Sequence, residues 1–167
     1  MAVKEGERLP DATLQELPVE YSAGCPTGPE NRSVNELTKG KRIALFAVPG
    51  AFTRTCSAKH LPGFVEASDQ LKSKKVDEIW CVSVNDAMVM AAWGKEHKAG
   101  GKVRMMADGS AKFTKALGLE TDLTERGMGV RSKRYSMVIE DGVVKKLNVE
   151  KPGEYQVSSA EHMLKQV

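Results

Sequence analysis

The chain has 167 residues, 41% of them hydrophobic and 28% charged, and a net charge of +3. That length buries a core without disulfides or metals, and the mixed charge argues against disorder and against a nucleic-acid footprint. No apolar stretch is long enough to span a bilayer. Three widely spaced cysteines, Cys25, Cys56 and Cys81, make no disulfide scaffold. Together with an N-terminus lacking an apolar signal region, they point to a reducing compartment, the cytoplasm.

Taken in chain order, "VEYSAGCPTGPENRSVNEL" (19–37) is rich in Gly, Pro, Ser and Asn and reads as a long surface loop. "RIALFAV" (42–48) is a continuous apolar run, the pattern of a strand buried on both faces. From about Cys56 to Leu71 the apolar residues recur at helical spacing, with Pro62-Gly63 expected to bend or interrupt the helix. "DEIWCVSV" (77–84) predicts a second central strand, and Asp86 caps a helix carrying Met88 to Trp93. "VRMMAD" (103–108) predicts a third strand. Ser110 is placed to cap a short helix over 111–117, and Gly118 to stop it. "RYSMVIEDGVVKKLNVE" reads as a hairpin turning at Asp141-Gly142. "SSAEHMLKQ" opens a last helix with a capping box, Ser158 at the cap and Glu161 three residues on. Strands alternating with helices and then a hairpin give one α/β domain over 1–167, with a central mixed sheet flanked by helices. A thioredoxin-like fold is the small architecture of that shape.

The chemistry concentrates in "PGAFTRTC", residues 49–56. A cysteine in the first turn of a helix faces unpaired N–H groups and the positive end of the helix dipole, and both favour the thiolate, which is the nucleophilic form. Thr53, three residues earlier, brings a hydroxyl round towards the sulfur, and Pro49 can cover it with apolar surface. Cys81, inside an apolar strand, reads as a packing residue, and Cys25 as an incidental thiol in a polar loop. His60 lies one helical turn after Cys56 and reads as part of the site wall rather than as a general base. No His/Cys cluster has metal-ligand spacing.

The segment "PGAFTRTCSAKHLPGF" resembles the P-x-x-x-T-x-x-C loop of peroxiredoxins, and more narrowly the type II, peroxiredoxin-5-like subfamily. The similarity continues through "DEIWCVSVNDAMVMAAW", "RMMADGS", "FTKALGLETDL" and "GMGVRSKRYSMVIEDGVVKKLNVE", so it covers nearly the whole chain. It implies a thioredoxin-like thiol peroxidase that reduces hydrogen peroxide and alkyl hydroperoxides without a cofactor. Cys56 would be the peroxidatic cysteine, Thr53 would hydrogen-bond thiolate and peroxide, and Pro49 would shield them. Arg134, the basic residue directly before the apolar run "YSMVI", would be the family's arginine. Arg126, Arg131 and Lys133 read as a solvated basic edge, with Arg131 still in a loop.

Two positions depart from the family pattern. Arg54 stands where Pro is usual, either adding a cation near the sulfur or pointing to solvent. Ser158 and Ser159 stand where some relatives carry a resolving cysteine, so the resemblance implies a one-cysteine cycle with an external reductant, glutathione with glutaredoxin or thioredoxin. It also implies a homodimer formed around the active-site loops. Phe52 would sit near that contact, a plain core role being the other reading of an aromatic in this loop. The rival function is a thioredoxin-fold redox sensor or holdase that signals through Cys56 oxidation.

Overall fold

Strand β3 (Arg42–Val48) has residues 43–48 fully buried, because its alternate side chains enter two different cores. Ala44, Phe46 and Val48 pack on one face with Cys56, Phe64, Cys81 and Trp93; Ile43, Leu45 and Ala47 pack on the other with Trp80, Phe113 and Tyr135. The structure, a computed structural model, describes residues 2–18 and 28–167; Cys25 lies outside the described residues.

β3 pairs in parallel with β4 (Glu78–Ser83), and β4 in parallel with β5 (Arg104–Ala107). Helices make the connections: α2 (Leu61–Glu66) and α3 (Ser68–Ser73) before β4, and α4 (Ala87–Glu96) before β5. On its other edge β3 pairs antiparallel with β8 (Tyr135–Glu140), which turns into β9 (Val143–Val149). That turn places Asp141 and Gly142 both at positive φ, as the tight hairpin expected from Asp-Gly requires. Beyond β5 lie β1 (Thr13–Glu16) and then β2 (Glu30–Ser33), both antiparallel. The order β2-β1-β5-β4-β3-β8-β9 is the mixed, helix-flanked sheet of the thioredoxin-like class.

Several local expectations need correction. Residues 30–38 are not loop: they form β2 and α1 (Val34–Thr38), with the Ser33 hydroxyl accepting the Glu36 N–H. β2 has no buried apolar face, so its sequence carries no alternation to read. The long helix is interrupted just before Pro62, where Cys56–His60 are π-helical, and it breaks a second time at Ala67. Helix α5 (Lys112–Leu117) is capped by Asp108, not Ser110: the buried carboxylate accepts the N–H groups of Phe113 and Thr114 and the Thr114 hydroxyl. Helix α6 (Ala160–Leu164) is capped by Ser159, whose hydroxyl accepts the His162 N–H, and Ser158 is buried instead. A second hairpin, β6 (Glu120–Leu123) with β7 (Gly129–Ser132), lies in a stretch without strand periodicity.

Candidate active site

The loop after β3 is tied down before it reaches the cysteine. Asn85, just beyond β4, accepts the Ala51 N–H at 3.0 Å and the Ser83 hydroxyl at 2.6 Å. Arg131, on β7, donates from Nε to the Met128 carbonyl at 2.8 Å and lies 3.5 Å from the Pro49 carbonyl. Gly50 sits at a close approach: a Cβ there would crowd the Arg131 guanidinium and the Thr53 methyl, each at 3.1 Å, and one of them would have to shift. Phe52 has φ of +61° and is 52% exposed.

The chain turns helical at Arg54, and Ser57 N–H closes the first turn on the Thr53 carbonyl at 2.9 Å. Cys56 therefore stands in the first turn, beside N–H groups that have no preceding carbonyl within the helix. The next turn is widened. Residues Cys56–His60 are π-helical, with the Leu61 N–H donating to the Cys56 carbonyl. Pro62 follows at once and has no N–H with which to restore the α pattern. The Ser57 hydroxyl accepts the Trp93 indole N–H at 2.9 Å, which pins this turn to α4.

Cys56 is fully buried. Arg134 Nη2 lies 3.1 Å from its sulfur, and Arg134 Nη1 lies 2.9 Å from His60 Nδ1. The other ring nitrogen of His60, Nε2, is 2.9 Å from the Ser158 carbonyl. Burial pushes the His60 pKa down to about 3, and the neighbouring Arg134 charge works in the same direction, so the ring is neutral. Cys81 is buried in the same core, and burial, followed by the proximity of Cys56, pushes its thiol well up, which favours the protonated form. Both described cysteines are free thiols.

The structure brings Cys56 and Arg134 together: the guanidinium of Arg134 reaches the sulfur from just before β8. Thr53 differs in detail, because its hydroxyl donates to the Gly50 carbonyl at 2.7 Å. One donor is thereby committed to the loop, and the oxygen keeps lone pairs for a proton on a substrate. Pro49 is half-buried at the start of the loop. Arg54 points to solvent. Arg131 is not in a loop, since β7 holds it half-buried against the active-site turn. Asn85, Trp93 and the role of His60 escape a reading of the sequence. Only His60 leaves a trace there, as a Cys-x-x-x-His spacing that puts both side chains on one helix face.

The Redoxin family profile matches residues 4–164. Peroxiredoxin-2B of Arabidopsis thaliana is 53% identical over 136 residues, 81% of this chain and 84% of that protein. The chloroplastic peroxiredoxin-2E of the same plant is 49% identical over 166 residues, 98% of this chain and 69% of that protein. Among solved structures, reduced Prx3 of Vibrio vulnificus in complex with hydrogen peroxide superposes with a TM-score of 0.91 at 51% identity, over 98% of each chain.

Proposed function

The chain belongs to the Redoxin family and is a peroxiredoxin, a thiol peroxidase, and from that premise we propose that Cys56 is the sulfur that attacks the peroxide. The contact that carries this reading is the 3.1 Å approach of Arg134 Nη2 to Cys56 Sγ in the first turn of a helix. A guanidinium there favours the thiolate and stays in place as charge moves to the departing oxygen.

In the reaction, the thiolate of Cys56 forms a bond to one oxygen of ROOH and the O–O bond breaks. The electron pair leaves with RO⁻, which takes a proton to become water or an alcohol, and Cys56 becomes a sulfenic acid. Arg134 and the first-turn N–H groups stabilise the leaving oxygen, the Thr53 oxygen accepts a hydrogen bond from the proton-bearing oxygen of the peroxide, and Pro49 limits access of water. A thiol then condenses with the sulfenic acid to a mixed disulfide, releasing water, and a second thiol restores Cys56. Because the neighbouring Cys81 is buried and protonated, an external reductant is favoured, glutathione with glutaredoxin or thioredoxin. Hydrogen peroxide as substrate draws support from the Vibrio vulnificus complex. A reducing compartment such as the cytoplasm suits the free thiols; among the described residues no helix is long and apolar enough to cross a membrane.

Turnover separates this reading from a redox sensor. With a thiol reductant present, the protein is expected to consume many equivalents of peroxide, and Cys56→Ser none above background, while Cys81→Ser keeps most of the rate. Consumption that stops near one equivalent favours a sensor, and near-normal turnover by Cys56→Ser overturns the mechanism.

A further inference from the structure

We propose that His60 is a positioning residue, a neutral imidazole that holds the Arg134 guanidinium on the sulfur of Cys56. The proposal rests on the roles of Cys56 and Arg134 given above and adds the group that aims one at the other.

A guanidinium is a rigid planar fork, so fixing one of its nitrogens fixes the other. Arg134 places Nη1 on His60 Nδ1 at 2.9 Å and Nη2 on Cys56 Sγ at 3.1 Å. The imidazole tautomer follows from its two partners. Nε2 faces the Ser158 carbonyl, which only accepts, so the ring proton lies on Nε2. Nδ1 then carries a lone pair, which is what an N–H of the guanidinium needs. The opposite tautomer would set N–H against N–H at one end and lone pair against lone pair at the other.

The ring cannot turn away, because it is fully buried between Phe46, Phe64 and Tyr155, at centroid distances of 4.8, 5.7 and 5.1 Å. Its carbonyl partner is held as firmly. Glu150 Oε2 accepts the Ser158 N–H at 2.9 Å, the Ser158 hydroxyl at 2.7 Å and the Gln156 N–H at 2.6 Å. The Glu150 N–H in turn donates to the Arg134 carbonyl at 2.9 Å. The hydrogen bonds therefore close a ring from the Arg134 backbone through Glu150, Ser158 and His60 to the Arg134 side chain.

A neutral partner matters chemically. Among the described residues Arg134 forms no ion pair with a carboxylate. An imidazole orients the guanidinium without cancelling its charge, which stays available to the sulfur and the leaving oxygen. The titratable and charged groups around this pair are Cys56, Cys81, the Tyr155 hydroxyl and Glu150, whose carboxylate is committed to Ser158 and Gln156.

The test compares His60→Phe, which keeps an aromatic ring and removes the acceptor, with His60→Asn, whose Oδ1 takes the place of Nδ1. Two readouts are taken on the folded protein: the rate of Cys56 oxidation by hydrogen peroxide, and the pH at which iodoacetamide alkylation of Cys56 is half-maximal. His60→Phe is expected to slow oxidation by about 10²-fold, the scale of an ångström of misplacement, and to move the alkylation midpoint to higher pH. His60→Asn is expected to recover most of both. Unchanged rate and midpoint in His60→Phe, or an Asn variant as impaired as Phe, overturn the proposal. If His60→Phe does not fold, imidazole ¹⁵N spectroscopy of the unmodified protein decides. A neutral Nε2–H tautomer from pH 5 to 8 supports the proposal, and an imidazolium or an Nδ1–H form overturns it. Cys56→Ser runs alongside: activity in that variant condemns the catalytic reading itself, whereas an inactive Cys56→Ser beside a normal His60→Phe condemns only the role of His60.

Discussion

Two guanidiniums three residues apart act on the same loop in different ways. Arg134 touches the sulfur, whereas Arg131 touches only the carbonyls of Met128 and Pro49. Removing a preorganised charge donor costs about 10²–10³ in rate, so Arg134→Gln is expected to lose that much in initial peroxide reduction. Arg131→Gln loosens the loop around Gly50 and is expected to lose about tenfold at most, because the guanidinium holds only loop carbonyls and not the reacting atoms. A crippled Arg131→Gln beside a near-normal Arg134→Gln would reverse the assignment. Strand alternation makes Arg134 legible. It shares a face with Ser136 and Val138, and Val138 packs in the core that contains Cys56, whereas Tyr135, Met137 and Ile139 enter the other core. Arg131 escapes the same logic because β6 and β7 form a separate two-stranded sheet with no apolar alternation.

At the scale of elements, the caps at Asp86 and Gly118 were legible and those assigned to Ser110 and Ser158 were not, for a specific reason. A sequence shows which residues are able to cap, but the cap is whichever oxygen the tertiary fold points at the free N–H groups. Ser110 is exposed and Asp108 is buried, and the carboxylate of Asp108 reaches over Ala111, itself at φ +58°, to Phe113 and Thr114. Asp108→Ala is therefore expected to destabilise the protein by about 2 kcal/mol, through the lost cap and the donors left buried. Ser110→Ala is expected to stay within about 0.5 kcal/mol of the parent. Denaturant unfolding of the two variants checks this, and equal losses would return the cap to Ser110. The Ser158/Ser159 pair shows the same competition. Ser159 takes the cap because Ser158 is drawn inward by Glu150, where burial opposes the carboxylate charge but the hydrogen bonds from Ser158 and its neighbours hold its pKa below the usual range.

At the scale of the whole molecule, the loop that carries the site leaves an aromatic side chain uncovered. Among the described residues, Phe52 and Met88 are the exposed large hydrophobic side chains, 52% and 49% accessible. The Asn85–Ala51 hydrogen bond ties the loop of Phe52 to the start of α4, where Met88 sits. An aromatic residue at positive φ is strained by about 1–3 kcal/mol, and it persists where surroundings hold it. A second copy of the chain, covering these residues, is the occupant expected from the family resemblance, and a solvent-facing Phe52 removes the core role that was its alternative. Sedimentation at micromolar concentration is expected to show a dimer. Phe52→Asp is expected to weaken it by tenfold or more, because a buried interface aromatic is worth over about 1 kcal/mol. A monomeric parent protein refutes this interface.

The sequence by itself determined the central strands, the Asp141-Gly142 hairpin, the family and the candidate nucleophile. In each case the signal is local: a run of buried residues, a turn that requires positive φ, a cysteine where a helix begins. Tertiary structure alone decided the hydrogen-bond geometry around the sulfur. Cys56 and Arg134 meet across 78 positions, and His60 reaches Ser158 across 98. Such meetings depend on the register of β3 against β8 and on how the segment after β9 folds back over the helix. A hydrogen bond needs its partners within a few tenths of an ångström, whereas sequence periodicity specifies only a face. For that reason the candidate cysteine was visible in eight consecutive letters, and the contact of His60 with Arg134 was not.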